Sequence, residues 1–263
     1  MTGTIDLNAD IGEAEDADGI ASELAILRYV SSANIACGGH RGDAASMRRT
    51  TIAARDNGVA IGAHPSYPDY ANFGRRSHVI GIDISADDLA KSLLFQIVQL
   101  CEIAASEDAV VSYVKPHGAL YNDAVGSKIH ADLIAGVIKR LDKNLIFMGG
   151  PNSAMERAAD DADLSFIREG FIDRRYTDDG HLQDRSIDGA VIHDQAARMV
   201  QARSLAQHGT VITATGRTLS VNPQSLCLHG DSAGAVETAR LARADIEAAG
   251  LRIKAFSDVR AFA

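Results

Sequence analysis

Six apolar, strand-like runs in this chain each end abruptly in titratable side chains: IDLNADIGE, ANIACGGHRGD, VAIGAHPSYPD, VVSYVKPHGALYN, FIREGFIDRRY and SLCLHGD. Strand interiors favour Val, Ile and Leu, whereas Asp, His, Lys and Arg are costly to bury. A polar end on many separate strands therefore implies a shared polar rim. Segments of helical period separate the runs, and strands joined through helices form parallel sheets by right-handed crossovers. An open doubly wound sheet would draw its site mainly from the few strands beside one switch point. A closed barrel carries its chemistry at the carboxyl ends of all its strands. Since nearly every strand here contributes polar groups, the pattern predicts an α/β chain closed into a TIM-like (β/α) barrel.

Strands are predicted near residues 4–9, 33–37, 59–63, 110–115, 145–149, 164–172 and 225–229, seven in all. Helices are predicted near 22–31, 43–57, 86–106, 128–142, 153–161, 193–208 and 232–249, with a short last strand or tail at 252–256. Ser85 with Asp88, and Ser153 with Glu156, have the spacing of capping boxes. Gly58 and Gly209 have the character of left-handed helix terminators, after which the strands VAIGA and TVITA can begin. The irregular stretches 64–84 and 173–192 become loops on the catalytic rim. With 263 residues and no Pro/Gly/Ser linker, one domain over 1–263 is expected.

Charge and cysteine usage narrow the function. The net charge is -9, and the 26 basic residues are scattered among 35 acidic ones, which argues against nucleic-acid binding. No uninterrupted apolar stretch reaches 18 residues and the mean hydropathy is -0.04, so no membrane span is expected. The start, MTGTIDLNAD, has neither a basic n-region nor an apolar h-region. Cys37, Cys101 and Cys227 form an odd set without CxxC spacing. A reducing cytoplasm is the expected location. Cys37 and Cys227 lie in polar-ended strands, which raises a nucleophilic role beside the plainer reading as small core residues.

The rim residues could do chemistry. Period-2 alternation puts Asp6, Asn8 and Asp10 on one face of the first strand, with Glu13 just beyond. Asp10, at the strand end, is the better catalytic group; the other reading of these carboxylates is as helix caps or lysine partners. Gly38, Gly39 and Gly42 bracket His40 and lead into a helix near Asp43, a turn that suits a carboxylate or phosphate oxygen. His40, His64 and His117 end successive strands. With Asp10, His40 and His64 could bind a divalent metal, or the histidines could act as general acid and base. Lys115 follows VVSYV, so its ammonium must be paired or shifted, and it suits a substrate carboxylate or a developing oxyanion. Asp173, Arg174 and Arg175 follow the strand at 164–172, where a guanidinium suits bidentate anion recognition. His229 and Asp231 close the set.

Together DLNADIGE, SSANIACGGHRGD, GVAIGAHPSYPD with FGRR, VKPHGALYN, DRRYTDDGHL and CLHGD resemble the LamB/YcsF family over about residues 4–250. The resemblance implies a distorted seven-stranded β/α barrel related to the glycoside hydrolase and carbohydrate deacetylase barrels. It also implies ATP-dependent opening of the 5-oxoproline (pyroglutamate) lactam to L-glutamate with partner subunits B and C. The chain has no GxxxxGK[ST], no kinase-like glycine loop and no Rossmann fingerprint, so ATP would be handled by the partners, and this chain would receive 5-oxoproline or its phosphorylated form. On that reading Asp10 with His40 or His64 activates water, Lys115 and Arg174 bind the carboxylate or phosphate, and His117 and His229 assist proton transfer. Asn8, Glu13, Asp173 and Asp231 complete the substrate contacts. Gly39 and Arg41 stand where the family usually has an aromatic residue and Ala, as in GFHAGD. The competing readings are a metal-dependent deacetylase or amidohydrolase acting alone on a sugar or small amide, and a non-catalytic metabolite-binding subunit.

Overall fold

The structure, a computed structural model, describes residues 3–230 and 234–257. Its chain order begins with β1 (Thr4–Ile11), α1 (Ala17–Ile26), β2 (Ser32–Ala36), α2 (Ala44–Asp56) and β3 (Ala60–His64). Then come α3 (Ala86–Ser106), β4 (Val111–Val114), α4 (Gly118–Gly126), α5 (Lys128–Leu141), β5 (Ile146–Gly149), α6 (Ala154–Ala162) and β6 (Phe166–Phe171). The last elements are α7 (Gln195–His208), β7 (Thr210–Ile212), β8 (Thr218–Ser220), β9 (Ser225–His229), α8 (Ala235–Ala248) and β10 (Arg252–Ile253).

Seven parallel strands, ordered β1-β2-β3-β4-β5-β6-β9, close through the β9–β1 pair into the expected barrel. β10 adds to the start of β1 outside that ring, pairing Thr4 with Arg252. Register then decides which polar ends meet. Asp10 lies opposite Asn34 of β2 on one side and His229 of β9 on the other, and Ala36 lies opposite His64. Along β1, Asp6, Asn8 and Asp10 are tied to side chains of other barrel strands, while Leu7, Ala9 and Ile11 join the main apolar core. The barrel is distorted where the β3–β4 register shifts between Ile61 and Gly62. A Cβ on Gly62 would collide with the Tyr113 ring, so the glycine is what admits that ring.

Local signals set most helix ends. Ser85 accepts from Asp88 N at α3, Ser153 from Met155 N and Glu156 N at α6, and Asp43 from Ser46 N at α2. α1 starts at Ala17, earlier than the predicted 22, because Asp16 caps it by accepting from Gly19 N. α4 is not among the predicted helices: its sequence GALYNDAVG begins and ends in glycine, and it is held by the burial of Leu120, Tyr121, Ala124 and Val125. TVI does form a strand after Gly209 (φ +65°), but β7 pairs antiparallel with β8 and stays out of the barrel. α3, at 21 residues, is long and apolar enough by length and composition to cross a membrane. In this fold it packs against β3 and β4 with Leu89, Leu93, Ile97 and Leu100 buried, as a core helix does.

Candidate functional site

The carboxyl end of the barrel opens into a pocket of about 1060 Å³, counted to its open mouth. Asp10, His64, Lys115, His117, Arg174 and His229, each expected from the sequence, line it. Both irregular stretches contribute as well, through Arg75 and Ser77 of 64–84 and Leu182, Asp184 and Arg185 of 173–192.

Lys115 is the hub. Its Nζ lies 2.8 Å from Asp10 Oδ1, 2.8 Å from Glu169 Oε1 and 3.1 Å from Cys227 Sγ. Burial works against the ammonium, yet Asp10, Cys227 and Glu169 outweigh it and hold the pKa well above its ordinary value. Lys115 is thus a fixed cation and no base at neutral pH. Burial likewise raises Asp10, but His64 and Lys115 prevail and keep its carboxylate well below the usual range. Asp10 Oδ1 also accepts from Asn34 Nδ2 at 2.7 Å, while Oδ2 lies 3.3 Å from His64 Nε2. Cys227 and Cys37 are both pushed up by burial, so the nucleophilic reading of either thiol finds no support.

The histidines and Glu13 form a buried cluster whose donor atoms all lie within 4.8 Å of one another. Carbonyl oxygens only accept, so His64 carries its proton on Nδ1, 2.8 Å from the Lys115 carbonyl, and His117 on Nε2, 3.0 Å from the Phe73 carbonyl. The remaining nitrogens, His64 Nε2 and His117 Nδ1, face each other at 3.0 Å with lone pairs. Glu13 Oε1 approaches His40 Nε2 at 2.8 Å, His117 Nδ1 at 3.3 Å and His64 Nε2 at 4.0 Å. Lone pairs and a carboxylate oxygen converging out of water call for a shared cation, either a proton or a metal. Burial holds His40 down to about 3 and lowers His117, and both rings resist the proton. Ligand atoms around a tetrahedral metal at bond lengths of about 2.1 Å stand roughly 3.4 Å apart, close to this spacing. The residues therefore fit a divalent metal. The cluster differs from the expected Asp10, His40 and His64: Glu13 and His117 stand with His40 and His64, while Asp10 lies beside it, its Oδ1 taken by Lys115 and Asn34 and its Oδ2 3.3 Å from His64 Nε2.

Several supports are tertiary. Glu23 of α1 accepts from the backbone N–H groups of Gly12, Glu13 and Ala14 and so fixes the turn that presents Glu13. Burial raises its carboxyl to about 7. Gly74, at φ +61°, lies so close that a Cβ there would stand 3.0 Å from both His117 and His40, and only glycine lets this loop close over the rings. His40 and His117 stack at 3.5 Å. The distinctive Arg41 makes its own contact, lying over the Tyr70 and Phe73 rings at 4.4 and 4.9 Å. A Cβ on Gly39 would collide with Ser66 and Gln96. The N-terminus of α2 is capped by Asp43 itself, which takes up the Ser46 N–H that the glycine-loop reading offered to an anion.

On the opposite wall His229 Nδ1 lies 2.8 Å from Asp173 Oδ2, and burial of Asp173 is outweighed by His229, leaving the carboxyl at about 2. Arg174 is buried, donates to Gln183 O at 2.6 Å, and has an Nε without a partner among the described residues. Burial, then the neighbouring Arg185 and Arg75, bring its pKa down to about 10, and a planar guanidinium at this wall suits an anion. Asn8 is wholly buried and spends its side chain on Ser225, Asn34 and Lys115, away from the pocket lining. Glu13 and His40 also stand behind the pocket wall. Asp231 falls outside the described residues. Arg75, Arg185, Tyr121 and Glu169 are not singled out by the sequence. The signal for Glu169 is there, since alternation sets it on one face with Ile167 and Phe171, inside an apolar strand.

The family model for LamB/YcsF matches residues 5–261. The A subunit of 5-oxoprolinase from Streptomyces avermitilis is 43% identical over 253 residues, covering 96% of this chain and 100% of that one. The crystal structure of a lactam utilization protein from Thermus thermophilus superposes with a TM-score of 0.86 at 34% identity, over 96% of this chain and 100% of the other. A peptidoglycan deacetylase from Bacillus subtilis gives a TM-score of 0.51 at 11% identity, over 98% of this chain and 90% of that one, a likeness of fold alone.

Proposed function

The chain belongs to the LamB/YcsF family, and on that premise we propose that it is the A subunit of an ATP-dependent 5-oxoprolinase. It opens the 5-oxoproline lactam to L-glutamate after partner subunits B and C have activated the substrate with ATP. The observation that carries this reading is the pocket itself, with Arg75, Arg174 and Arg185 along its wall, Lys115 and Asp10 at its floor and the Asp173–His229 pair at its side.

Lactam opening requires a carbonyl oxygen to take up negative charge, a water to lose a proton and a ring nitrogen to gain one. Lys115 is a permanent ammonium suited to the developing oxyanion. Asp10 is too acidic to serve as a base near pH 7; it orients Lys115. His229, steadied by Asp173 at Nδ1, carries protons in the pocket. The arginines hold the substrate carboxylate or a phosphoryl group. Glu13, His40, His64 and His117 would hold a divalent cation, whose chemistry there is Lewis-acid polarisation of a carbonyl or phosphoryl oxygen. The absence of a P-loop, kinase glycine loop or Rossmann fingerprint supports leaving the nucleotide to the partners.

The test measures glutamate formed from 5-oxoproline and ATP by this chain alone, by candidate partners alone and by all combined. Only the full mixture should turn over. Partners that match it alone overturn the assignment. Metal-dependent release of acetate or ammonia from an acylated sugar or small amide by this chain alone would favour a stand-alone deacetylase or amidohydrolase.

A further inference from the structure

Beside the main pocket lies a smaller one of about 480 Å³, lined in part by Tyr121, Val125, Glu169, Phe171, Tyr176 and Leu182. The two share Tyr121, Asn122, Phe171 and Leu182. Glu169 is 1% exposed, and neither its carboxylate oxygens nor the buried Tyr121 hydroxyl has a hydrogen-bond partner among the described residues. The 2.8 Å approach of Glu169 Oε1 to Lys115 Nζ is an ion-pair contact that lacks hydrogen-bond directionality. Lys115 compensates the charge of Glu169, but its contact is poorly directed, so hydrogen-bonding capacity of the carboxylate and the phenol is left over at the wall of a cavity, where an entering ligand can take it up. Burial, followed by the nearby Glu169 carboxylate, keeps Tyr121 in its O–H form; the hydroxyl faces that carboxylate without hydrogen-bond geometry, so the phenol is a donor that an entering acceptor can engage.

The pocket thus offers an acceptor and a donor close together, between the apolar walls of Val125, Phe171 and Leu182. A cyclic amide has the matching edge, with an N–H donor and a carbonyl acceptor on adjacent atoms and methylene groups behind them. We propose that this pocket is the lactam-edge subsite: Glu169 accepts the ring N–H, Tyr121 donates to the ring carbonyl beside Lys115, and the substrate carboxylate extends toward the arginines of the adjoining pocket. The inference rests on the lactam reading above and assigns the residues that select a lactam over other ring carbonyls.

The probes are 2-pyrrolidinone and γ-butyrolactone, which lack the carboxylate and differ in N–H against ring oxygen, titrated into the purified chain by ligand-observed NMR. The lactam should bind saturably and the lactone at least tenfold more weakly, the range expected when a buried acceptor is left unpaired. Glu169→Met should bring the lactam down to the lactone's level. Tyr121→Phe should weaken both by a similar factor, and it decides the matter alone if Glu169→Met does not fold. No lactam binding, equal binding of the two probes, selectivity that survives Glu169→Met, or no effect of Tyr121→Phe overturns the subsite. Those outcomes leave glutamate formation by the reconstituted subunits as an independent result. Failure of that reconstitution with probe selectivity intact sinks the 5-oxoprolinase reading and keeps the subsite.

Discussion

Asp6 and Asp10 lie four residues apart on the same face of the same strand, both almost wholly buried, and they behave in opposite ways. Asp6, deep in the barrel, accepts from the hydroxyls of Ser31, Ser32 and Ser225, and burial prevails to raise its carboxyl to about 6. Asp10, at the rim, faces His64 and Lys115 and is held well below the usual range despite equal burial. Desolvation is common to both, so the difference is the partner: hydroxyls satisfy geometry, whereas the Lys115 ammonium compensates charge. On the proposed function the deep network is a structural plug and the rim network is the working one.

The hardest blow to this contrast is Lys115→Met, which leaves Asp10 and Glu169 buried without their cation. A loss of about 3–5 kcal/mol in stability is expected at pH 7, with no ring opening in the reconstituted system, read by urea unfolding and glutamate release. Asp10→Asn keeps the shape and removes the charge. Ring opening should fall by roughly a hundredfold or more while the unfolding midpoint moves little, and retention of most activity would remove Asp10 from the working network.

Asp6→Asn tests the plug. The native Asp6 carboxyl titrates near 6 against an ordinary 3.8, so the folded protein binds its proton more tightly than the unfolded chain does. Stability must then fall as pH rises from about 4 to 6, with the full penalty, on the order of 3 kcal/mol or less, present above 6. The variant should lose this slope while ring opening stays within a few-fold of wild type. Glu23, raised to about 7, keeps a slope of the same sign between its ordinary 4.5 and 7. Urea midpoints at pH 4, 5, 6 and 7 separate the two. The mildest change is Arg185→Ala at the pocket mouth, where KM for the substrate should rise roughly fivefold with kcat nearly unchanged.

Much of this was legible before folding. The helix at 86–106 carries its cap in Ser85 and its apolar stripe in Leu89, Leu93 and Leu100, both local properties. The polar strand ends Asp10, His64, Lys115 and His229 could be read from where apolar runs stop, and they meet in one pocket. Other features depended on neighbours remote in sequence. Asn8 looks like a rim residue but points into the plug because β9 brings Ser225 beside it. Tyr121 sits on α4, a helix bounded by glycines whose formation follows from its burial. Arg75 and Arg185 lie 110 positions apart and meet only because two rim loops fold over the same opening.

The sequence alone determined that this chain would close a parallel ring of strands with its titratable groups at one end, since alternation, apolar runs and caps act over a few residues. Only the tertiary structure decided which of those groups are paired, protonated or left incomplete. Asp6 and Asp10 carry identical side chains on one strand, and Ser225 of β9 and Lys115 just beyond β4 gave them opposite chemistry. Partner identity depends on register and closure, and those are properties of the whole barrel.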